Sequence, residues 1–197
     1  MAPTPDFAEA RFAGLGRHRN ITMERDDQAV IRRLPELLDA HIEQLAAVLI
    51  DCVEGGASVS FMHPLTRQKA SDFWRSLAPD VADGRRLLLA AHDTTGIVGT
   101  VQVILDQPEN QPHRADVAKM LVHRRSRRRG IGSALVRAAE ESARSAGKTL
   151  LVLDTASGDA ERLYARLGWI RAGTVPDYAL WPHGGLCSAS FYYRRLD

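Results

Sequence analysis

Apolar residues recur every three or four positions at Leu34, Leu38, Ile42, Leu45, Leu49 and Cys52/Val53, which is one stripe of an amphipathic helix. Gly55-Gly56 ends it. A second stripe runs through Ala70, Phe73, Trp74, Leu77, Ala78 and Val81, with Thr66 as its N-terminal cap and Gly84 as its close. Strands follow. Leu87–His92 and Ile97–Leu105 flank the turn Asp93-Thr94-Thr95-Gly96 and read as a hairpin. Residues 107–113 hold two prolines and form a loop before a third strand, Asp116–Val122. Gly130 to Gly147 is a helix with Ile131, Leu135, Ala138, Ala139 and Ala146 on one side. The apolar run Leu150–Leu153 predicts a strand buried on both faces. A short helix, Asp159–Leu167, stops at Gly168, and strands Trp169–Val175 and Ala189–Arg194 surround a loop over 176–186. Residues 1–19 form a loose extension, and 20–25 a short strand.

The order is strand, two helices, a meander of three strands, helix, strand, helix and two strands. A strand–helix–strand unit over 116–153 implies parallel neighbours joined by a right-handed crossover. The meander before it is antiparallel. The fold class is therefore α/β (α+β), with a mixed sheet and helices on both faces.

Composition narrows the class. The 197 residues suit one domain, spanning 20–197 after the extension. Apolar residues at 45% and charged residues at 25% are those of a globular protein. No run of 18 apolar residues predicts a membrane span, and the N-terminus lacks a secretory pattern. Cys52 and Cys187 are too far apart for a metal motif, so a reduced, cytoplasmic protein is expected, with no metal. The net charge of +2 does not imply nucleic acid. The segment 123–129, His-Arg-Arg-Ser-Arg-Arg-Arg, is nevertheless strongly basic. A nucleic-acid patch on a non-catalytic module is one reading of it. Against that reading, no aromatics are interleaved and a glycine turn follows at once.

That turn is Arg127-Arg128-Arg129-Gly130-Ile131-Gly132, an R-x-x-G-x-G pattern between a strand and a helix. Glycines let a ligand approach the backbone, and the free amides of a helix start suit a phosphate. Arginines add charge-assisted hydrogen bonds. The pattern is neither a P-loop nor a Rossmann fingerprint. Downstream, Leu163-Tyr164-Ala165-Arg166-Leu167-Gly168-Trp169 sets a tyrosine on a short helix, either packed in the core or donating a proton.

In order and spacing, the strand Val117–Val122, this turn and the tyrosine helix resemble the GCN5-related N-acetyltransferase (GNAT) superfamily, from about residue 20 onward. The resemblance implies a mixed, mostly antiparallel twisted sheet of six to seven strands. It implies acetyl-CoA as cofactor, with the pyrophosphate on Arg127, Arg128, Arg129, Gly130, Ile131, Gly132 and Ser133. Met120, Leu121 and Val122 would pair with the pantetheine arm, and Tyr164 would protonate the departing thiolate. Ser157 stands where the family often has Asn, another cofactor contact. Residues 55–62, 113–122, 153–155 and 175–178 further resemble the tabtoxin-resistance type of acetyltransferase, which modifies a small amine-bearing antimetabolite. This implies a small-molecule primary amine as acceptor, antibiotic resistance in a bacterium, and a homodimer through the terminal strands. A protein N-terminus or lysine is the alternative acceptor.

An acceptor ammonium must lose a proton before it can attack. Asp116 and Asp154 are the candidates for base or ammonium site; Asp116 could instead pair with Arg114 or Lys119, and Asp154 could cap the next helix. Tyr178, with Trp181 and His183, would line the acceptor pocket. His113 and His123 read as surface polar residues, and of Tyr192 and Tyr193 at most one should point inward.

Overall fold

Leu87–Ala91 and Ile97–Val103 are buried on both faces, as fits central strands covered on two sides. They lie within β2 (Arg86–Asp93) and β3 (Gly96–Ile104), joined by the expected hairpin turn. The structure is a computed structural model and describes residues 29–196; the extension over 1–19 and the strand expected at 20–25 lie outside the described residues. The remaining elements are β1 (Val30–Leu34), α1 (Asp39–Glu54), α2 (Arg67–Ser76), α3 (Ala78–Ala82), β4 (Arg114–Val122), α4 (Ile131–Ser145), β5 (Leu150–Thr155), α5 (Gly158–Arg166), β6 (Ile170–Leu180) and β7 (Leu186–Arg195).

One seven-stranded sheet has the order β1-β2-β3-β4-β5-β7-β6. Every neighbouring pair is antiparallel except β4–β5, the parallel pair expected of the crossover. On one face, Leu135, Val136, Ala139 and Ala143 of α4 pack on Leu87, Leu89, Val101, Val103, Ala115 and Val117. On the other, Leu45, Leu49 and Val53 of α1 and Trp74 of α2 cover Leu88, Ala90, Ile97 and Leu121.

Four expectations need correction. Leu34 ends β1 instead of opening the first helix; Pro35 disfavours helical backbone at the residue before it, and α1 begins at Asp39. The second helix is two, α2 and α3, parted at Leu77 with a proline in the first turn of α3; Thr66 does cap α2, its hydroxyl accepting from Lys69 N at 3.2 Å. The run Leu150–Leu153 is fully buried on one face only, at Leu151 and Leu153. The long loop over 176–186 shrinks: β6 carries on to Leu180, taking up Pro176–Tyr178 as a bulge at Val175/Ala179 with Asp177 left-handed at φ 53°.

Another bulge positions the site. Opposite Thr100–Gln102 of β3, β4 spends one extra residue, and Lys119 adopts φ 48°. An extra residue inverts the alternation of a strand. Ala115 and Val117 therefore face α4, whereas Leu121 faces α1.

Candidate active site

β4 and β5 pair over only three positions, Arg114↔Leu150, Ala115↔Leu151 and Asp116↔Val152. Beyond Asp116 the strands part. The gap is a cavity of about 850 Å³ with Met120, Leu121 and Val122 on one wall and Asp154, Ser157 and Tyr164 on the other. The start of α4, Gly130, Ile131, Gly132 and Ser133, also lines it, with Arg127 and Arg128.

Arg128 (φ 65°) and Gly130 (φ 80°) are left-handed and bend the chain sharply into α4. The first intrahelical bond is Ala134 N to Gly130 O, at 3.1 Å. The amides of Ile131, Gly132 and Ser133 thus have no partner within the helix, no side chain caps them, and the first turn holds no acidic residue. A 15-residue helix with such an end favours an anion there. A Cβ on Gly132 would sit 3.2 Å from Leu163 Cδ2, so the glycine also lets α4 approach α5 closely. Arg127 is steadied by donating from Nε to Val122 O at 3.1 Å. Arg129 does not line the cavity; its guanidinium lies 3.9 Å from the carboxylate of Asp93, the last residue of β2. Arg124 pairs with Asp51 and Glu54, and Arg125 bonds Thr95, so much of the basic run is engaged within the fold.

Tyr164 takes the core position that was one of its two readings. It packs in the core, 4% exposed, with its ring 5.5 Å from that of Trp169 and 5.9 Å from that of Tyr192, and it lines the cavity. Burial, helped by the negative charge of Asp154, pushes its phenol far above the ordinary range, so the group stays protonated. Asp154, at the C-terminal end of β5, is exposed and lines this cavity and an adjoining one of about 280 Å³. That second cavity lies among Ser58, Ser60, Phe61 and Met62 of the α1–α2 loop and Tyr178, Ala179 and Leu180 of β6. Tyr178 stacks edge-on against Phe191 there, at 5.5 Å.

Asp116 is not brought into the group. It sits where β4 and β5 still pair, accepts from Arg114 Nη1 and from Gln107 Nε2 (3.2 Å), and lines neither cavity. The ion pair with Arg114 is what its position on the strand produces. His113 and His123 also stay outside: the His113 carbonyl accepts from Thr149 N, and the His123 ring accepts from Arg125 N. Trp181 lines the larger cavity, whereas His183 stacks on His63 at 4.6 Å.

Among the cavity-lining residues that escaped the sequence reading are Lys119 and Cys52. Lys119 reaches the larger cavity from the bulge and donates to Ser60 Oγ at 3.2 Å; a charge inside an apolar strand was the signal available. Cys52 lines the same cavity, its thiol 3.6 Å from Val122 O and its acidity weakened mainly by burial, against the favourable charge of Arg127.

Residues 56–169, more than half of the chain, match the sequence model of the acetyltransferase (GNAT) family. The chain belongs to that family. Solved acetyltransferase structures share its fold. An N-acetyltransferase from Staphylococcus aureus Mu50 superposes with a TM-score of 0.70 at 17% identity, over 86% of this chain and 99% of that one. A ribosomal-protein-alanine N-acetyltransferase from Brucella melitensis gives 0.69 at 22%, over 85% and 99%. A GNAT superfamily phosphinothricin acetyltransferase from Sinorhizobium meliloti, in complex with acetyl-CoA, gives 0.70 at 16%, over 86% and 89%. Acetyl-CoA is the cofactor of the GNAT family. The uncapped start of α4, flanked by Arg127 and Arg128, suits its diphosphate, and the open edge of β4 suits the amide-bearing arm.

Proposed function

We propose that this acetyltransferase acetylates the primary amine of a small molecule in the cytoplasm, by direct transfer from acetyl-CoA. The observation that carries the reading is the adjoining of two cavities: a long one opening on uncapped helix amides, and a small one meeting it at Asp154. About 280 Å³ is a volume for a compact ligand. Phe61, Met62, Tyr178 and Leu180 give it apolar walls, and Asp154 gives it one carboxylate for an ammonium. An amino-acid-like toxin or antibiotic of the tabtoxin kind fits this chemistry, and detoxification would be its purpose.

When bound, the cofactor supplies an acyl carbon open to an amine and a thiolate leaving group. Arg127 and Arg128, with the amides of Ile131, Gly132 and Ser133, hold the diphosphate. Ser157, whose side chain caps nothing at the start of α5, offers a hydroxyl from the opposite wall. The backbone at Met120, Leu121 and Val122 aligns the arm, and an amide near Leu121–Val122 polarises the acyl oxygen. Holding acceptor and donor in line supplies several kcal/mol of the rate. Tyr164, kept neutral by burial, gives its proton to the leaving sulfur.

A thiol-release assay with acetyl-CoA against a panel of small primary amines tests the reading. Turnover of an amino-acid-like amine supports it. Turnover confined to peptide N-termini or lysines would replace it with the protein-acceptor alternative. A homodimer belongs to the same reading: β6 is the sheet edge, and Ile170, Val175, Tyr178, Leu180 and, on β7, Leu186 expose apolar side chains there. Light scattering that gives the monomer mass at assay concentration would remove the dimer.

A further inference from the structure

The chain has three lysines. Lys69 is exposed, and Lys148 is tied to the carbonyls of Leu105 and Pro112, both at 2.8 Å. Lys119 stands apart. The bulge at φ 48° aims its side chain to the α1–α2 side, where Nζ bonds Ser60 Oγ and lies 5.7 Å from the centroid of the Phe73 ring. Ser60 and Asp154 line both cavities, so the Lys119 nitrogen stands beside their junction. Four elements surround it. β5 contributes the carboxylate of Asp154, β2 the guanidinium of Arg86, the α1–α2 loop a hydroxyl, and α2 a phenyl ring. Arg86 itself is held by Gln102 Oε1 at 2.6 Å and lies 3.6 Å from Asp80, so it is fixed in place as a positive neighbour.

We propose that Lys119 is the base that removes the proton from the acceptor ammonium at the junction of the two cavities. This rests on the amine-acceptor reading above. Loss of water around Nζ, reinforced by Arg86 and opposed by Asp154, holds the amine below the usual lysine range. The free base is therefore populated at lower pH than for an exposed lysine. An amine also matches the proton affinity of an alkylammonium far better than a carboxylate does. In the step, an N–H bond of the acceptor breaks and an N–H bond forms on Lys119, while the acceptor keeps the lone pair. Acyl transfer then forms the C–N bond and breaks the C–S bond; the amine loses its second proton as the departing sulfur gains one. Lys119 returns its own proton to water.

Competitive labelling with acetic anhydride across a pH series, read by peptide mass spectrometry on the full chain, follows Lys119 against Lys69 without cofactor or acceptor. The expected midpoint of Lys119 lies below that of Lys69. Asp154→Asn should lower it further, because a negative neighbour is lost. A Lys119 midpoint at or above that of Lys69, or one unmoved by Asp154→Asn, overturns the proposal. Kinetically, Lys119→Arg and Lys119→Met should lose about 10²–10⁴-fold in kcat with an alkylamine acceptor. They should lose little with hydroxylamine, which is neutral at assay pH. Wild-type kcat in Lys119→Arg with the alkylamine, or an equal loss with hydroxylamine, also overturns it. Calorimetry with coenzyme A, run on the same variants, checks their fold and tests the acetyltransferase reading separately.

Discussion

Tyr164→Phe separates the chemistry of the site from its scaffold. The tyrosine ring is almost fully buried and touches the rings of Trp169 and Tyr192. Removing the whole ring, as in Tyr164→Ala, would cost about 3–5 kcal/mol of stability. Phenylalanine keeps every ring contact, so Tyr164→Phe should change stability by no more than about 1 kcal/mol. If the phenol protonates the leaving sulfur, kcat should fall about 10²–10⁴-fold. Affinity for coenzyme A should stay the same, since the diphosphate contacts proposed above lie in the turn before α4 and at its first residues. Thiol release at saturating acetyl-CoA measures the first quantity and calorimetry the second. The folded phenol is harder to ionise than the unfolded one. Its contribution is thus fully present below the unfolded value of about 10 and is lost as pH rises beyond it. The wild type should therefore lose stability relative to Tyr164→Phe above about pH 10. Tyr192, raised chiefly by burial, will keep part of that loss in the variant. An unchanged kcat in Tyr164→Phe would refute the role of acid.

Gly130→Val should abolish coenzyme A binding in calorimetry, because a β-branched residue resists φ 80° and would reshape the turn that leads into the helix amides. Arg128→Ala should weaken coenzyme A by roughly 10- to 100-fold, from a charged hydrogen bond of about 1.5–3 kcal/mol. Arg129→Ala should leave that affinity unchanged, since its guanidinium turns to Asp93. Asp154→Asn should alter acceptor kinetics and Asp116→Asn should not, because only Asp154 reaches the cavities; the reverse pattern would show that the cleft closes differently around its substrates.

The elements that were legible in the sequence are those whose period and stops agree. α4 has a clean apolar stripe and a glycine at each end, and the uncapped helix start that we propose holds the diphosphate came with it. The β2–β3 hairpin was legible because a turn separates two apolar runs. β1 was not, because Leu34 falls by coincidence on the helical stripe of α1, and only Pro35 argues otherwise. Asp116 and Asp154 look alike as strand carboxylates; what separates them is the point where β4 and β5 diverge, which depends on long-range pairing. Arg127, Arg128 and Arg129 are adjacent, yet left-handed backbone at Arg128 sends the last of them to the opposite side. The segment from Gly55 to Met62 was visible as a motif, but no local signal said that it would wall a cavity with β6.

The bulge in β4 is the least legible feature and the one on which the site turns. Residues 117–122 are apolar but for Lys119, so no polar–apolar alternation marks its position. Its cost is visible at Lys119, a non-glycine residue at φ 48°. A left-handed conformation costs an L-residue about 1–2 kcal/mol relative to glycine. Lys119→Gly and Lys119→Ala both delete the amine and its packing over Phe73, so their difference isolates the backbone. Glycine carries a chain-entropy handicap of about 0.5–1 kcal/mol wherever the native φ is ordinary. At φ 48° the strain term should outweigh it, leaving Lys119→Gly at least as stable as Lys119→Ala in urea unfolding. An alanine variant more stable by a full glycine handicap would mean that the bulge relaxes once lysine is gone. It would follow that the side chain, held by Ser60 and Phe73, keeps the strand bent, and that amine and bulge depend on each other.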